Sequence, residues 1–199
     1  MDDANGAELD PLLDAWRAAG AGTVVALTGA GISAESGIPT FRGADGYWTH
    51  GSRNYTPMEL ATRAAFEAEP EIVWQFYLER IVRHRDAAPN PGHRALVTLE
   101  QALGERFQLI TQNVDGLHLR AGSDPRRLFA IHGDLSWTRC AADCGAPVEA
   151  LPDALRALDP AAVAFDGPVR AALTCRCGGL RRPHVLWFDE CYNETWCAR

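Results

Sequence analysis

Four groups of residues in this chain have types and spacings suited to chemistry. Gly29, Gly31 and Ala34 follow the apolar run Thr23-Val24-Val25-Ala26-Leu27 and fit a G-x-G-x-x-A turn. In such a turn the first glycine bends the chain sharply and the second lets backbone approach a pyrophosphate. The third small residue lets the next helix pack closely, with its first N–H groups aimed at the phosphates. Ala30, Ile32 and Glu35 share the segment. Pro39-Thr40-Phe41-Arg42 then sets an aromatic ring and a guanidinium just past the turn. His132, in Ile131-His132-Gly133, has a side chain able to exchange protons near neutral pH. Gln112, Asn113 and Asp115 follow the apolar run Phe107-Gln108-Leu109-Ile110. An amide there can hold hydroxyls or an ordered water, and a carboxylate can accept an N–H. The same Asn-x-Asp-Gly string also makes an ordinary Asx turn. Cys140, Cys144, Cys175 and Cys177 form two close pairs about 35 residues apart, a pattern suited to tetrahedral thiolate coordination of zinc. Free thiols are the alternative. Four thiolates leave no open position for catalysis. Cys191 and Cys197 lie outside the pattern.

Strands and helices must position these groups. A helix is expected after Asp10, with Pro11 at its first position and Gly20 past its end. A strand should cover 23–27, and 43–66 reads as an irregular loop passing into short helices. Apolar residues at near-helical spacing predict a helix over 71–85 and another over 93–103. Further strands are expected at 107–111 and 128–131, and a short one over Val185-Leu186-Trp187-Phe188. Alternating strands and helices predict an α/β fold with a doubly wound, Rossmann-like parallel sheet. The cysteine region reads as a small zinc-binding insert at 138–180. It separates a first part, 1–137, from a return to the large domain at 181–199.

Composition narrows the classes. With 199 residues, 47% hydrophobic and 23% charged, the chain is of ordinary globular type. A net charge of −7 argues against a general nucleic-acid-binding surface. No N-terminal apolar h-region and no run near the roughly 20 residues of a bilayer span is seen. The expectation is a cytoplasmic protein, where six cysteines favour a metal or free thiols over disulfides.

The glycine-rich segment, Thr111-Gln112-Asn113-Val114-Asp115-Gly116-Leu117-His118 and Ile131-His132-Gly133, in that order, resemble the sirtuin family of NAD-dependent protein-lysine deacylases. The resemblance runs from about Val24 to Glu190. It implies NAD as co-substrate, structural zinc, acylated-lysine proteins as partners, and a cleft between a large Rossmann-like and a small zinc-bearing domain. By resemblance His132 is the general base that helps deprotonate a ribose hydroxyl, after the acyl oxygen has displaced nicotinamide. Val114 and Asp115 would hold the nicotinamide carboxamide, Phe41 would shield the ribose, and Arg42 would reach phosphate. Thr40 and Trp48 would complete the cofactor set. Val185, Trp187 and Phe188 match the segment that pairs with an extended substrate peptide. Asp189 stands where many relatives have glycine.

Tyr77 and Arg80 lie three apart on the 71–85 helix and share a face. Spacing alone favours a core tyrosine and a solvated arginine. The family pattern instead matches a Tyr-x-x-Arg pair that holds succinyl and malonyl groups, with Ala61 as the small residue widening that pocket. Nothing after Glu190 matches the family's second half of the nucleotide fold, so the chain reads as stopping part-way through it. The alternatives are a vestigial NAD or ADP-ribose binder, a mono-ADP-ribosyltransferase and, more weakly, a dehydrogenase. The last lacks the acidic residue expected roughly 20 positions beyond the turn.

Overall fold

The computed structural model describes residues 22–40, 57–159 and 163–192, together with Asp14, Ala18 and Gly20. Asp14 and Ala18 are helical and Gly20 has φ of 74°, as the expected first helix and its end require. Phe41, Arg42, Trp48 and the rest of the 43–56 loop lie outside the described residues.

Three short apolar segments form one parallel sheet. These are β1 (Val24–Thr28), β2 (Phe107–Thr111) and β3 (Leu128–Ala130), in the order β1-β2-β3. Connections between parallel strands need a crossover, and the long one between β1 and β2 holds most of the helices. They are α1 (Gly31–Ala34), α2 (Pro57–Leu60), α3 (Arg63–Ala68), α4 (Pro70–His84) and α5 (Pro91–Leu103). Helix α6 (Leu117–Ala121) links β2 to β3. Pro70 and Pro91 sit in the first turns of α4 and α5, where a missing N–H costs nothing. Asn90 caps α5, and the His93 ring accepts the Asn90 N–H in return. Leu96 and Leu103 of α5 pack on Phe107, Leu109 and Leu128, burying one face of the sheet. On β1, Val25 and Leu27 remain 54% and 65% exposed.

The second sheet is antiparallel, in the order β5-β4-β6: β4 (Gly133–Cys140), β5 (Glu149–Ala150) and β6 (Arg181–Val185). Between β5 and β6 lie α7 (Asp153–Arg156) and α8 (Gly167–Ala172). The strand expected over 185–188 instead spans 181–185 and ends at Val185. What hid it is the content of β6. Its buried side chains include Arg181 and Arg182, which no apolar pattern marks. Arg181 donates to the Thr138 hydroxyl (2.8 Å) and to the Thr138 and Pro147 carbonyls (2.9 Å each). Arg182 pairs with Glu190 (2.8 Å) and lies 3.3 Å from the Trp187 ring centre. The main core joins the two regions: Phe66, Trp74, Tyr77 and Leu78 pack with Leu151, Leu155, Leu173, Val185 and Trp187. Trp74 Nε1 donates to the Arg181 carbonyl (2.8 Å) and fixes α4 on β6.

Candidate active site

Because β1, β2 and β3 run parallel, their C-terminal ends share one edge, where ligands of open α/β sheets bind. The three sequence motifs leave the sheet there: the Gly29 turn after Thr28, Gln112–Asp115 after Thr111, and His132 after Ala130. Hydroxyls stitch the strand ends together. Thr28 donates to Thr111 (2.9 Å), so its oxygen accepts from His118 Nε2 (2.9 Å). Burial pushes the His118 pKa down to about 4, against the charge of nearby Asp115, so the ring is neutral near pH 7.

The turn itself differs in part from expectation. Helix α1 is a single turn, with no side chain capping its start, so its dipole is small. Ala34 is exposed, whereas its neighbour Ser33 is fully buried. A methyl group at Gly31 would meet nothing within 4 Å, so the space before it is open. Glu35 is exposed, Ala30 and Thr40 are half-buried, and the Ile32 carbonyl accepts from Asn90 Nδ2 (2.6 Å).

Asn113 and Asp115 are held firmly. Asn113 Nδ2 donates to the Gly29 carbonyl (3.0 Å) and to Ser33 Oγ (3.1 Å). Ser33 in turn donates to Asp115 (2.7 Å). Asp115 also accepts the Leu117 N–H (2.9 Å), which is the Asx turn the sequence allowed. The Val114 carbonyl accepts the Leu135 N–H (3.0 Å), which ties this loop to β4. Asp134 lies beneath Gly116, and burial, aided by the Asp115 charge, raises its carboxyl above the usual range despite hydrogen bonds from Ser136.

His132 has both ring nitrogens engaged. Nδ1 lies 2.9 Å from the Gln112 carbonyl, which can only accept, so Nδ1 carries the proton. The lone pair is therefore on Nε2, 2.9 Å from the Tyr192 hydroxyl. Gly133 follows because no other residue fits: its φ is +86°, and a Cβ there would lie 2.0 Å from the His184 carbonyl oxygen of β6.

The expected substrate edge is rearranged relative to a free strand. The Leu186 N–H donates to the His132 carbonyl (2.9 Å) and the Phe188 N–H to the Ala61 carbonyl (3.0 Å). Trp187 is 2% exposed and Phe188 57% exposed. Asp189, the departure from glycine, accepts the N–H groups of Arg63 (2.7 Å) and Ala64 (3.1 Å) and so caps α3. A cleft of about 300 Å³ runs beside this segment, lined by Gly133, Arg139, Val185, Leu186, Asp189 and Glu190. Tyr77 is buried and accepts from Trp187 Nε1 (2.9 Å). Burial pushes its phenol up to about 12, against the Trp187 hydrogen bond and the Arg80 charge. Arg80 is half-buried, its guanidinium 3.7 Å from the Phe76 ring centre, and is not the solvated side chain that spacing alone suggested.

The four cysteine sulfurs lie within 4.8 Å of one another, with Cys140–Cys177 at 3.6 Å and Cys144–Cys175 at 3.7 Å. Thiolates at ~2.3 Å from a tetrahedral zinc are ~3.8 Å apart, so the set fits the ion. Two tight turns, at Asp143 with Gly145 and at Gly178, all with positive φ, make the irregular spacings possible. The cluster stands at the far end of β4 from His132, roughly 20–25 Å away at ~3.3 Å per residue. Such a metal is structural.

The Sir2 family model matches residues 29–198. The chain belongs to the Sir2 family. It is 44% identical over 180 residues to the mitochondrial NAD-dependent protein deacylase sirtuin-5 of Canis lupus familiaris, covering 84% of this chain and 56% of that protein. It is 46% identical over 167 residues to an NAD-dependent protein deacylase of Aeropyrum pernix, covering 83% and 59%. Among solved structures, a Sir2 homologue in complex with NAD superposes with a TM-score of 0.65 at 39% identity, covering 89% of this chain and 61% of that one. The chain thus spans about three-fifths of the length of these Sir2 relatives.

The sequence reading passed over four members of the site. Ser33 and His118 stand inside the motif strings but were given no role there, and Thr28 read as a strand end. Tyr192 lies 60 positions from its partner and carried no local signal.

Proposed function

We propose that the chain is the catalytic portion of an NAD-dependent protein-lysine deacylase. The observation that carries this reading is the convergence of the Gly29 turn, Asn113 with Asp115, and His132 on one edge of the parallel sheet. Gly29, Ala30, Gly31, Ile32 and Thr40 would line the dinucleotide, with Gln112 beside Gly29. Asp115 and the Val114 backbone would hold the carboxamide, and Asn113 the ribose side. NAD would supply the ribose carbon that takes the acyl oxygen as nicotinamide leaves. His132 then acts as base through Nε2: Gln112 holds the proton on Nδ1 and keeps the lone pair aimed into the site. Cys140, Cys144, Cys175 and Cys177 would hold zinc as a distant brace.

Lysine's acyl group would enter past Ala61 toward Tyr77 and Arg80. The Arg80 guanidinium offers the charge and fork that a succinyl or malonyl carboxylate needs. Tyr77 would receive it while keeping its bond to Trp187. The test is release of nicotinamide from NAD with acetyl- and succinyl-lysine peptides. His132→Ala should abolish it with circular dichroism unchanged; turnover near wild type at saturating NAD would reject the role of His132.

A further inference from the structure

We infer that Tyr192 is a positioning residue of this site, and that its hydroxyl occupies the place the substrate's ribose hydroxyl must take. The inference rests on the deacylase reading for its consequence, but on geometry alone for the contact. The His132 ring is only half-buried, and its two hydrogen bonds are what fix it. On one side Gln112 accepts from Nδ1, which forces the lone pair onto Nε2. The remaining partner is Tyr192 Oη at 2.9 Å, so Tyr192 donates. The two rings are nearly coplanar, 6.1 Å between centres and 22° between planes, so the phenol meets the imidazole edge-on, in line with the Nε2 lone pair.

An alcohol about to lose its proton to Nε2 would make the same contact, an O–H donor within hydrogen-bond reach along the lone pair. A nitrogen with one lone pair serves one such donor. Tyr192 and a ribose hydroxyl are therefore mutually exclusive, and the phenol competes with the co-substrate. Tyr192 is 60% exposed and lies outside the buried core of the described residues, so its displacement disturbs none of that core. Its two roles follow together: it holds the free His132 ring in its rotamer, and it lowers the apparent affinity for the molecule that replaces it.

Two measurements on the full 199-residue chain test this. The first needs no turnover. In ¹⁵N-histidine-labelled protein at neutral pH, the His132 Nε2 resonance, assigned by its absence in His132→Asn, should move downfield in Tyr192→Phe. An unmoved resonance overturns the contact. The second is calorimetric titration with NAD, followed by steady-state kinetics with an acyl-lysine peptide. Tyr192→Phe should tighten Kd and lower KM for NAD about two- to tenfold, the range for one neutral hydrogen bond. Tyr192→Leu, lacking ring and hydroxyl, should do the same. Unchanged affinity in both variants, or a fall in kcat at unchanged KM, overturns the competition. If neither wild type nor variant binds NAD while the resonance still moves, the contact stands and the deacylase reading fails.

Discussion

Replacing Gly133 by Ala should damage this protein more than any other single methyl group described above. A Cβ at Gly133 would lie 2.0 Å from the His184 carbonyl oxygen and 2.9 Å from its carbon. Real contacts stay beyond 3.0 Å, so β4 and β6 must part by at least about 1 Å at that point. Separation weakens the Gly133–Val185 pairing and the Leu186 N–H bond to His132, each worth ~1 kcal/mol. The left-handed φ of +86° costs an alanine ~1–2 kcal/mol more. The sum is about 3–4 kcal/mol, or roughly 6–16 °C of Tm for a chain of this size. Gly116→Ala is the matched comparison. It shares a positive φ, but its nearest atom is an Asp134 carboxylate oxygen at 3.4 Å, so it should lose only ~1–2 kcal/mol. Thermal unfolding followed by circular dichroism reads both. Equal losses, or a Gly133→Ala Tm within about 2 °C of wild type, would refute the steric argument. The same variant should lose NAD-dependent activity beyond its loss of fold, because the His132 carbonyl is the group displaced.

Other outcomes are expected. Arg80→Met should reduce desuccinylation at least tenfold while deacetylation changes little, the ~1.5 kcal/mol or more that a charged hydrogen bond carries; equal loss of both activities would make Arg80 structural. Purified protein should hold one zinc, lost when Cys140 and Cys175 are both changed to Ser, as elemental analysis under reducing conditions will show. Stability should fall in acid in two stages, measured by urea midpoints. His118 has a folded pKa of about 4 against 6.5 unfolded, so its share is complete above pH 6.5 and lost as pH falls through about 4. Glu190 is opposed by burial but held below its usual 4.5 by Arg182, the Trp187 N–H and Arg139, so its share is lost only below 4.5. Glu190→Gln should cost about 3 kcal/mol at pH 7 by leaving Arg182 buried without its counter-charge, and should flatten the second stage alone.

The parallel sheet and the helices over Pro70–His84 and Pro91–Leu103 were legible because their signals are local: apolar runs, periodicity and Pro or Asn at helix starts. The motif residues at the sheet edge were legible for a related reason, since strand ends mark them. Strand β6 was not, because it buries arginines that depend on Thr138 and Glu190, and burial of charge by distant partners leaves no trace in hydropathy. Ser33 and Tyr192 escaped on the same ground. Each acquires meaning only from a partner 82 or 60 residues away. Helical spacing places Tyr77 in the core, where it lies, but cannot show that the Arg80 charge is sheltered by Phe76, one turn back on the same helix.

The bonds from Phe188 to Ala61 and from the Arg63 and Ala64 amides to Asp189 have a consequence for selectivity. They tie the backbone at Ala61 and the start of α3 to the segment that follows β6, so a change on one side is felt on the other. On the deacylase reading proposed above, a substitution that widens the site at Ala61 would then change acyl preference and peptide preference together.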